Sequence, residues 1–351
     1  MKKTALAAAC LGACACALAQ SNVTVFGTVD LFIGHARSGP TSLTRLEDGG
    51  NAASRIGFRG SEDLGGGLRA NFLLESGFAP DTGLGTLPGP AMAFTRQAYV
   101  GLSGPWGQVD AGRMYTPMFF ALFRADPFGV NALFSPLNLV AATDAQPGLR
   151  PFAARASNMV RYRTLAGQAF FADIAYAPGE AAAPSRRSGD VYGGNVGWQG
   201  KSLYLAYAFQ RAREGSAAAP VAFPSTSTYQ SLSGAYQWTA LKLFANYMRN
   251  SSSLQGVPKA QIASVGASYA ITPVSMLLAE AAYRKVDGSD RAQLAWTLGY
   301  DHALSKRTAV YGRLLRLSNR GNASVSMAQV PVIANSGDGV RVIAAGIRHH
   351  F

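Results

Sequence analysis

From Val23 to Ile33 the chain alternates without a break. Val23, Val25, Gly27, Val29, Leu31 and Ile33 fall on one face, and Thr24, Phe26, Thr28, Asp30 and Phe32 on the other. That is a period-two strand about ten residues long, the length that crosses a bilayer when tilted. The pattern returns along the chain. Ile56 and Phe58 alternate with Arg55, Gly57 and Arg59; Leu68, Ala70, Phe72 and Leu74 with Arg69, Asn71, Leu73 and Glu75. Leu203, Leu205, Tyr207 and Phe209 alternate with Tyr204, Ala206, Ala208 and Gln210, and Leu294, Trp296, Leu298 and Tyr300 with Gln293, Ala295, Thr297 and Gly299.

The second face excludes most soluble alternatives. It carries Arg, Asn, Gln, Ser, Thr, Gly and Glu, which do not make a packed core, whereas a soluble sandwich keeps its apolar face inside and its charges outside. Only 15% of residues are charged, against ~25% in ordinary soluble domains. No apolar run of the ~20 residues a membrane helix needs occurs past the N-terminus. The 18 Phe and 14 Tyr exclude an intrinsically disordered chain. Strands with lipid on one side and water on the other satisfy all of this. Trp198, Tyr207, Tyr236, Trp238, Tyr247, Trp296, Tyr300 and Tyr311 sit near strand ends, where an interfacial girdle belongs.

Short and long connections alternate. Short ones fall at 62–67, 104–107, 165–168, 199–202, 271–273 and 302–306. Long ones, rich in Gly, Pro, Ser and Asn, fall around 36–53, 79–93, 115–153, 178–189, 212–227, 250–259, 286–290 and 317–338. The spacing predicts an all-β fold: a sixteen-stranded antiparallel transmembrane barrel with short periplasmic turns and long external loops. The last strand, Val340 to Phe351, ends on an aromatic residue, as many outer-membrane barrels do, which makes Phe351 the expected C-terminal assembly signal.

Residues 1–19 read as a secretory signal peptide: Lys2 and Lys3, an apolar run from Ala5 to Leu18, and the small-x-small site Ala17-Leu18-Ala19. Leu11-Gly12-Ala13-Cys14 also resembles a lipid-attachment box, but that would leave an apolar core of about seven residues, short for export. All three cysteines (Cys10, Cys14, Cys16) lie in the leader, so the mature chain, one domain over 20–351, has no disulfide, zinc-thiolate site or cysteine nucleophile. Removing the leader lowers the formal net charge from +13 to +11, and nearly all the mature bases are Arg, which carry a fixed charge. In an exported protein such a surplus points to anions or anionic lipid rather than to nucleic acid.

Taken together, these segments resemble the trimeric general diffusion porins of Gram-negative bacteria, most closely the betaproteobacterial branch. The resemblance rests on Val23–Asp30, Ser54–Phe78 (SRIGFRGSEDLGGGLRANFLLESGF), Arg96–Arg113 (RQAYVGLSGPWGQVDAGR), Leu304–Tyr311 (LSKRTAVY) and Gly346–Phe351 (GIRHHF), and spans essentially the whole mature chain. It implies a homotrimer in the outer membrane, delivered by the outer-membrane assembly machinery and surrounded by lipid that includes lipopolysaccharide. It also implies a third long loop, here 115–153, folded into the barrel. The function implied is passive diffusion of small hydrophilic solutes and inorganic ions; the alternative is a substrate-selective porin for an organic anion or phosphate.

In these porins bases on the wall face acids on the inserted loop. The matching bases are Arg55, Arg96 and Arg155. Parity independently turns Arg55 inward, because Ile56 and Phe58 take the lipid face; Arg96 shares its face with Ala98, Val100 and Leu102, so its inward placement rests on the resemblance. Thr28 stands where enterobacterial relatives carry a base. Arg59, Arg69, Arg161 and Arg163 lie on polar faces and are further pore-lining candidates, since an Arg facing lipid near mid-membrane costs roughly 2–4 kcal/mol. The expected acids are Asp126, before Pro127-Phe128-Gly129, and Glu75, inward by parity; the loop's other acid is Asp144, against Arg124 and Arg150. The surplus of bases predicts anion preference. Met118, Phe119, Phe120, Leu122, Phe123, Phe128, Leu133 and Phe134 give the loop an apolar surface for the inner wall or for a neighbouring subunit.

No catalytic chemistry stands out. His35, His302, His349 and His350 have no metal-ligand spacing, and Gly60–Gly67 lacks the Gly-Lys-Ser/Thr of a phosphate loop. Asp30, Glu75, Asp110 and Asp173 sit on separate strands, with nothing pairing them as a glycosidase requires. No enzyme activity, cofactor or metal is expected. An exported soluble binding or adhesive protein is the reading of a different class; it would not need a polar inner face.

Overall fold

A computed structural model describes residues 22–86, 93–142, 152–325, 332 and 334–351. The leader over 1–19, with Cys14, and Asp144 and Arg150 of the third loop lie outside the described residues. The strands are β1 (Asn22–Ser38), β2 (Thr41–Asp48), β3 (Arg55–Gly65), β4 (Leu68–Gly77), β5 (Gln97–Gly104), β6 (Gly107–Tyr115), β7 (Arg155–Arg163), β8 (Phe170–Ala177) and β9 (Val191–Gln199). They continue with β10 (Leu203–Arg213), β11 (Thr226–Trp238), β12 (Leu241–Ser252), β13 (Ala260–Thr272), β14 (Ser275–Val286), β15 (Ala292–Ala303), β16 (Thr308–Arg320) and β17 (Val340–His350). Two short helices, α1 (Pro117–Phe123) and α2 (Pro136–Ala142), lie between β6 and β7.

Every pairing is antiparallel, and β17 closes on β1 from Thr28↔His350 to Ser38↔Val340. On its other side β1 pairs with β2 over Leu31–Ser38 and with β3 over Asn22–Thr28. β2 and β3 are therefore two halves of one broken stave, and the seventeen segments make a closed barrel of sixteen staves. Closure leaves no sheet edge around the wall, which a strand-built protein requires in lipid.

The expected external loop at 36–53 is not there. β1 continues to Ser38, turns at Gly39-Pro40 and returns as β2. The irregular residues are 49–54, which leave the wall opposite Val29 and Asp30 and bulge inward. The Asp30 carboxylate holds the bulge: its Oδ2 accepts from the amides of Asn51 (3.0 Å) and Ala52 (2.7 Å), and Tyr311 donates to its Oδ1.

Burial divides each strand as the alternation requires. On β10, Leu203, Leu205 and Tyr207 are exposed, while Tyr204, Ala206, Ala208 and Gln210 are buried. Val25, Ile33, Val100, Ile174, Val196, Leu232, Val265 and Ile343 extend this exposed apolar face around the barrel. So much contiguous apolar surface marks a lipid-facing band. The chain ends in the wall: Phe351 exchanges backbone hydrogen bonds with Gly27 at 3.1 and 3.2 Å. Its ring covers Gly27 so closely that a Cβ there would overlap Cζ, which explains the glycine.

The apolar core is where the third loop meets the inner wall. Met118, Ala121, Leu122, Leu133, Phe134, Leu137 and Val140 pack on Tyr204, Ala208, Tyr229, Met248, Ile262, Ala282, Ala295 and Leu315. Both helices are too short to be stable alone, so this packing and one cap hold them. Thr116 Oγ1 accepts from the Phe119 amide at 3.3 Å, and Pro117 occupies the first turn.

Candidate functional site

The third loop folds into the barrel, and side chains from the wall stitch it there. Asn195 Nδ2 donates to Pro117 O (2.6 Å), Tyr204 Oη to Ala121 O (3.3 Å), Asn246 Nδ2 to Ala125 O (2.7 Å) and Gln210 Nε2 to Ala153 O (3.2 Å). Pro127 lies over Gly266, where a Cβ would come within 2.9 Å of its Cγ. Across the lumen the loop meets the bulge: Asn131 Nδ2 donates to Gly49 O at 2.8 Å and to Asn51 O at 3.3 Å.

Between loop, bulge and the remaining wall lies a cavity of about 730 Å³. Its lining includes Arg55, Arg96, Arg155, Arg313 and Arg348 against Asp48, Glu75 and Asp301, a surplus of two positive charges. Glu75 is clamped between Arg96 (Nε to Oε1, 2.7 Å) and Arg55 (Nε to Oε2, 3.4 Å). The Tyr115 hydroxyl accepts from Arg96 Nη2 at 2.8 Å and from Arg155. Arg313 pairs with Asp301 at 2.6 Å, and Arg348 donates to Asn51 Oδ1 at 2.6 Å. Among the described residues, neither Arg155 nor Arg348 has a carboxylate partner, and the Nε of each is buried without an acceptor.

The predicted residues are thus only partly brought together. Arg55, Arg96, Arg155 and Glu75 meet at the cavity. Arg96 points inward although strict parity would turn it to lipid, because it precedes β5; its amide donates to Glu75 O before the alternation begins. Asp126 does not face the cavity. Its carboxylate is buried against the wall and accepts from the Phe128 amide (2.7 Å), the Val130 amide (2.9 Å) and Ser135 Oγ (2.5 Å). Burial pushes this carboxyl above its usual range in spite of those donors. It organises the loop rather than the pore.

Thr28 points inward but is buried against His350, with Oγ1 2.8 Å from Nδ1. Arg161 is bound bidentately by Asp173 (2.7 and 2.5 Å), and Arg163 reaches Asp110 at 2.9 Å, so neither adds net charge. Arg59 and Arg69 are exposed toward the short-turn end, outside the cavity lining. Sequence reasoning missed Arg313, Arg348, Asp301, the bulge and Asn131. Parity on β17 already turns Arg348 inward, because Ile343, Ala345 and Ile347 take the lipid face; β16 is apolar on both faces, and Tyr311, which shares Arg313's face, is buried inward on Asp30 rather than placed in the interfacial girdle. It also missed that Tyr115, Phe119, Phe120 and Phe123 line the water side, while Met118 and Leu122 of the same helix are buried.

A sixteen-stave barrel with an apolar belt, a polar lumen and a loop folded across it defines an outer-membrane channel. The chain belongs to the Gram-negative porins, whose family model matches residues 5–322. It is 31% identical to the outer membrane porin protein 32 of Delftia acidovorans and 29% identical to an outer membrane porin protein of Bordetella pertussis, in each case over the full length of both chains. Among solved structures it is similar to an anion-selective porin from Comamonas acidovorans, with a TM-score of 0.84 and 28% identity over 95% of this chain and 100% of that one. It is a passive diffusion channel of the outer membrane.

Proposed function

We propose that this channel passes small hydrophilic solutes with a preference for anions, and that selection occurs at the cavity bounded by Arg55, Arg96, Arg155, Arg313 and Arg348. The observation that carries this reading is the imbalance there: five guanidinium groups against three carboxylates, with Asp126 turned away. A transiting anion finds charge it can approach, and a cation finds Glu75 and Asp301 already bound to arginine and Asp48 held by the Ser54 amide. The anion-selective relative agrees with this sign. Assembly as a homotrimer within lipid that includes lipopolysaccharide, with Phe351 read by the assembly machinery, belongs to the same proposal. The apolar outer face and the docked C-terminus support it. Single-channel recording under a potassium chloride gradient tests the reading. Conductance steps in groups of three with a chloride-side reversal potential are expected; a potassium-side reversal sinks the anion preference.

A further inference from the structure

The cavity has a second chemical character that ion sieving does not use. Phe119 and Phe123 lie four residues apart on one face of α1, and Tyr115, the last residue of β6, extends their column. Tyr115 stacks on Phe119 with ring centroids 4.1 Å apart and planes 23° apart, and Phe119 on Phe123 at 5.7 Å and 26°. Phe120 closes the side of the column, edge-on to Phe119 at 5.7 Å. All four border the cavity, and Phe123 is 46% exposed.

A pore needs no aromatic column to pass chloride. Apolar rings kept against water offer a surface that a flat apolar ligand can cover. The head of the column is cationic. Arg155 lies 3.9 Å from the Tyr115 ring centroid and donates to its hydroxyl, and Arg96 donates to the same oxygen. Arg155 borders the cavity and, among the described residues, has no carboxylate partner. Guanidinium forks at one end and stacked rings along the other match one ligand shape, a carboxylate carried on a flat ring. A volume of about 730 Å³ falls within the range of small-molecule sites.

We infer that the cavity is a binding subsite for aromatic carboxylates. The carboxylate docks at Arg155 and Arg96, and the ring lies along Phe119 and Phe123. This rests on the anion-channel reading and narrows it to a solute class.

The test is block of chloride current through the full-length mature trimer in a planar bilayer, with benzoate, acetate and benzyl alcohol as probes. Benzoate is expected to lower the current saturably, and acetate and benzyl alcohol only weakly, because each lacks one half of the match. Truncating one ring, Phe119→Ala or Phe123→Ala, is expected to weaken benzoate block about threefold to tenfold, the range set by one aromatic contact. Phe123→Tyr is expected to retain it. Equal block by benzoate and acetate, or block that survives loss of both rings, overturns the inference. The probe series on the unaltered protein decides the matter even where a ring variant does not fold. The reversal potential recorded in the same cell separates the two claims: chloride preference without selective benzoate block removes only the aromatic subsite, whereas potassium preference removes the anion reading beneath it.

Discussion

The inner wall has two halves that read alike in sequence and do different things. Along β9–β15, the half covered by the third loop, most inward positions carry small or neutral side chains, among them Asn195, Ala206, Ala208, Ser231, Ser233, Asn246, Ser264 and Thr297, all buried; Glu280 and Arg284 on β14 are charged exceptions, buried as well. The small or neutral side chains anchor the loop backbone or leave room for Met118, Leu122 and Phe134. Along β3–β7 and at Arg313 and Arg348, the uncovered half, inward positions carry guanidinium groups and carboxylates around open space. Small neutral groups suit a wall that must receive another chain segment, because a buried unsatisfied polar group costs ~1–3 kcal/mol and a buried lone charge more. Charge suits a wall that faces water. Period-two alternation reports which residues point inward; what they meet there separates scaffold from selectivity filter.

The contrast breaks most visibly at the uncovered half. A charge ~7 Å from a passing anion is worth about 0.6 kcal/mol in bulk water, roughly threefold in local anion concentration before salt screens it. Replacing Arg55, Arg96 and Arg155 together with Gln is therefore expected to lower the chloride-to-potassium permeability ratio by about fivefold or more, read from reversal potentials. An unchanged ratio would place selection elsewhere.

At the covered half the effects should appear in stability. Asn246→Leu leaves Ala125 O without its donor and is expected to cost about 1–3 kcal/mol, measured by denaturant unfolding of the detergent-solubilised protein. Asp126→Ala removes the acceptor for three donors and is expected to destabilise by a similar amount without moving the reversal potential. A shift toward chloride in that variant would restore Asp126 to the pore. The smallest effect is expected from Arg69→Gln. Arg69 is exposed outside the cavity lining, and salt screens such a charge over ~10 Å, so the permeability ratio should stay within measurement error.

Most of the barrel was legible because alternation is local. Strand faces, the turn asymmetry and the inward direction of Arg55 and Glu75 follow from nearest neighbours in sequence. What escaped depended on distant partners. The segment Gly49-Gly50-Asn51-Ala52-Ala53 has the composition of an external loop, and it folds inward because Asp30, Tyr311 and Asn131 hold it there. Arg96 defied parity because the strand that sets the parity starts one residue later. The i, i+4 spacing of Tyr115, Phe119 and Phe123 was visible, but which face of α1 meets water is decided by Asn195 and Tyr204 on the opposite wall.

The meeting of bulge and loop at Asn131 makes the opening an arch. One springing is the bulge fastened to Asp30, the other is the loop fastened to Asn195 and Asn246, and Asn131 is the keystone. The arch is fastened by hydrogen bonds to the inner wall, and Val325 and Val332, from the long segment after β16, share the apolar core behind the loop. The span of the orifice is therefore set where those fastenings stand on the wall, as the span of an arch is set by its footings.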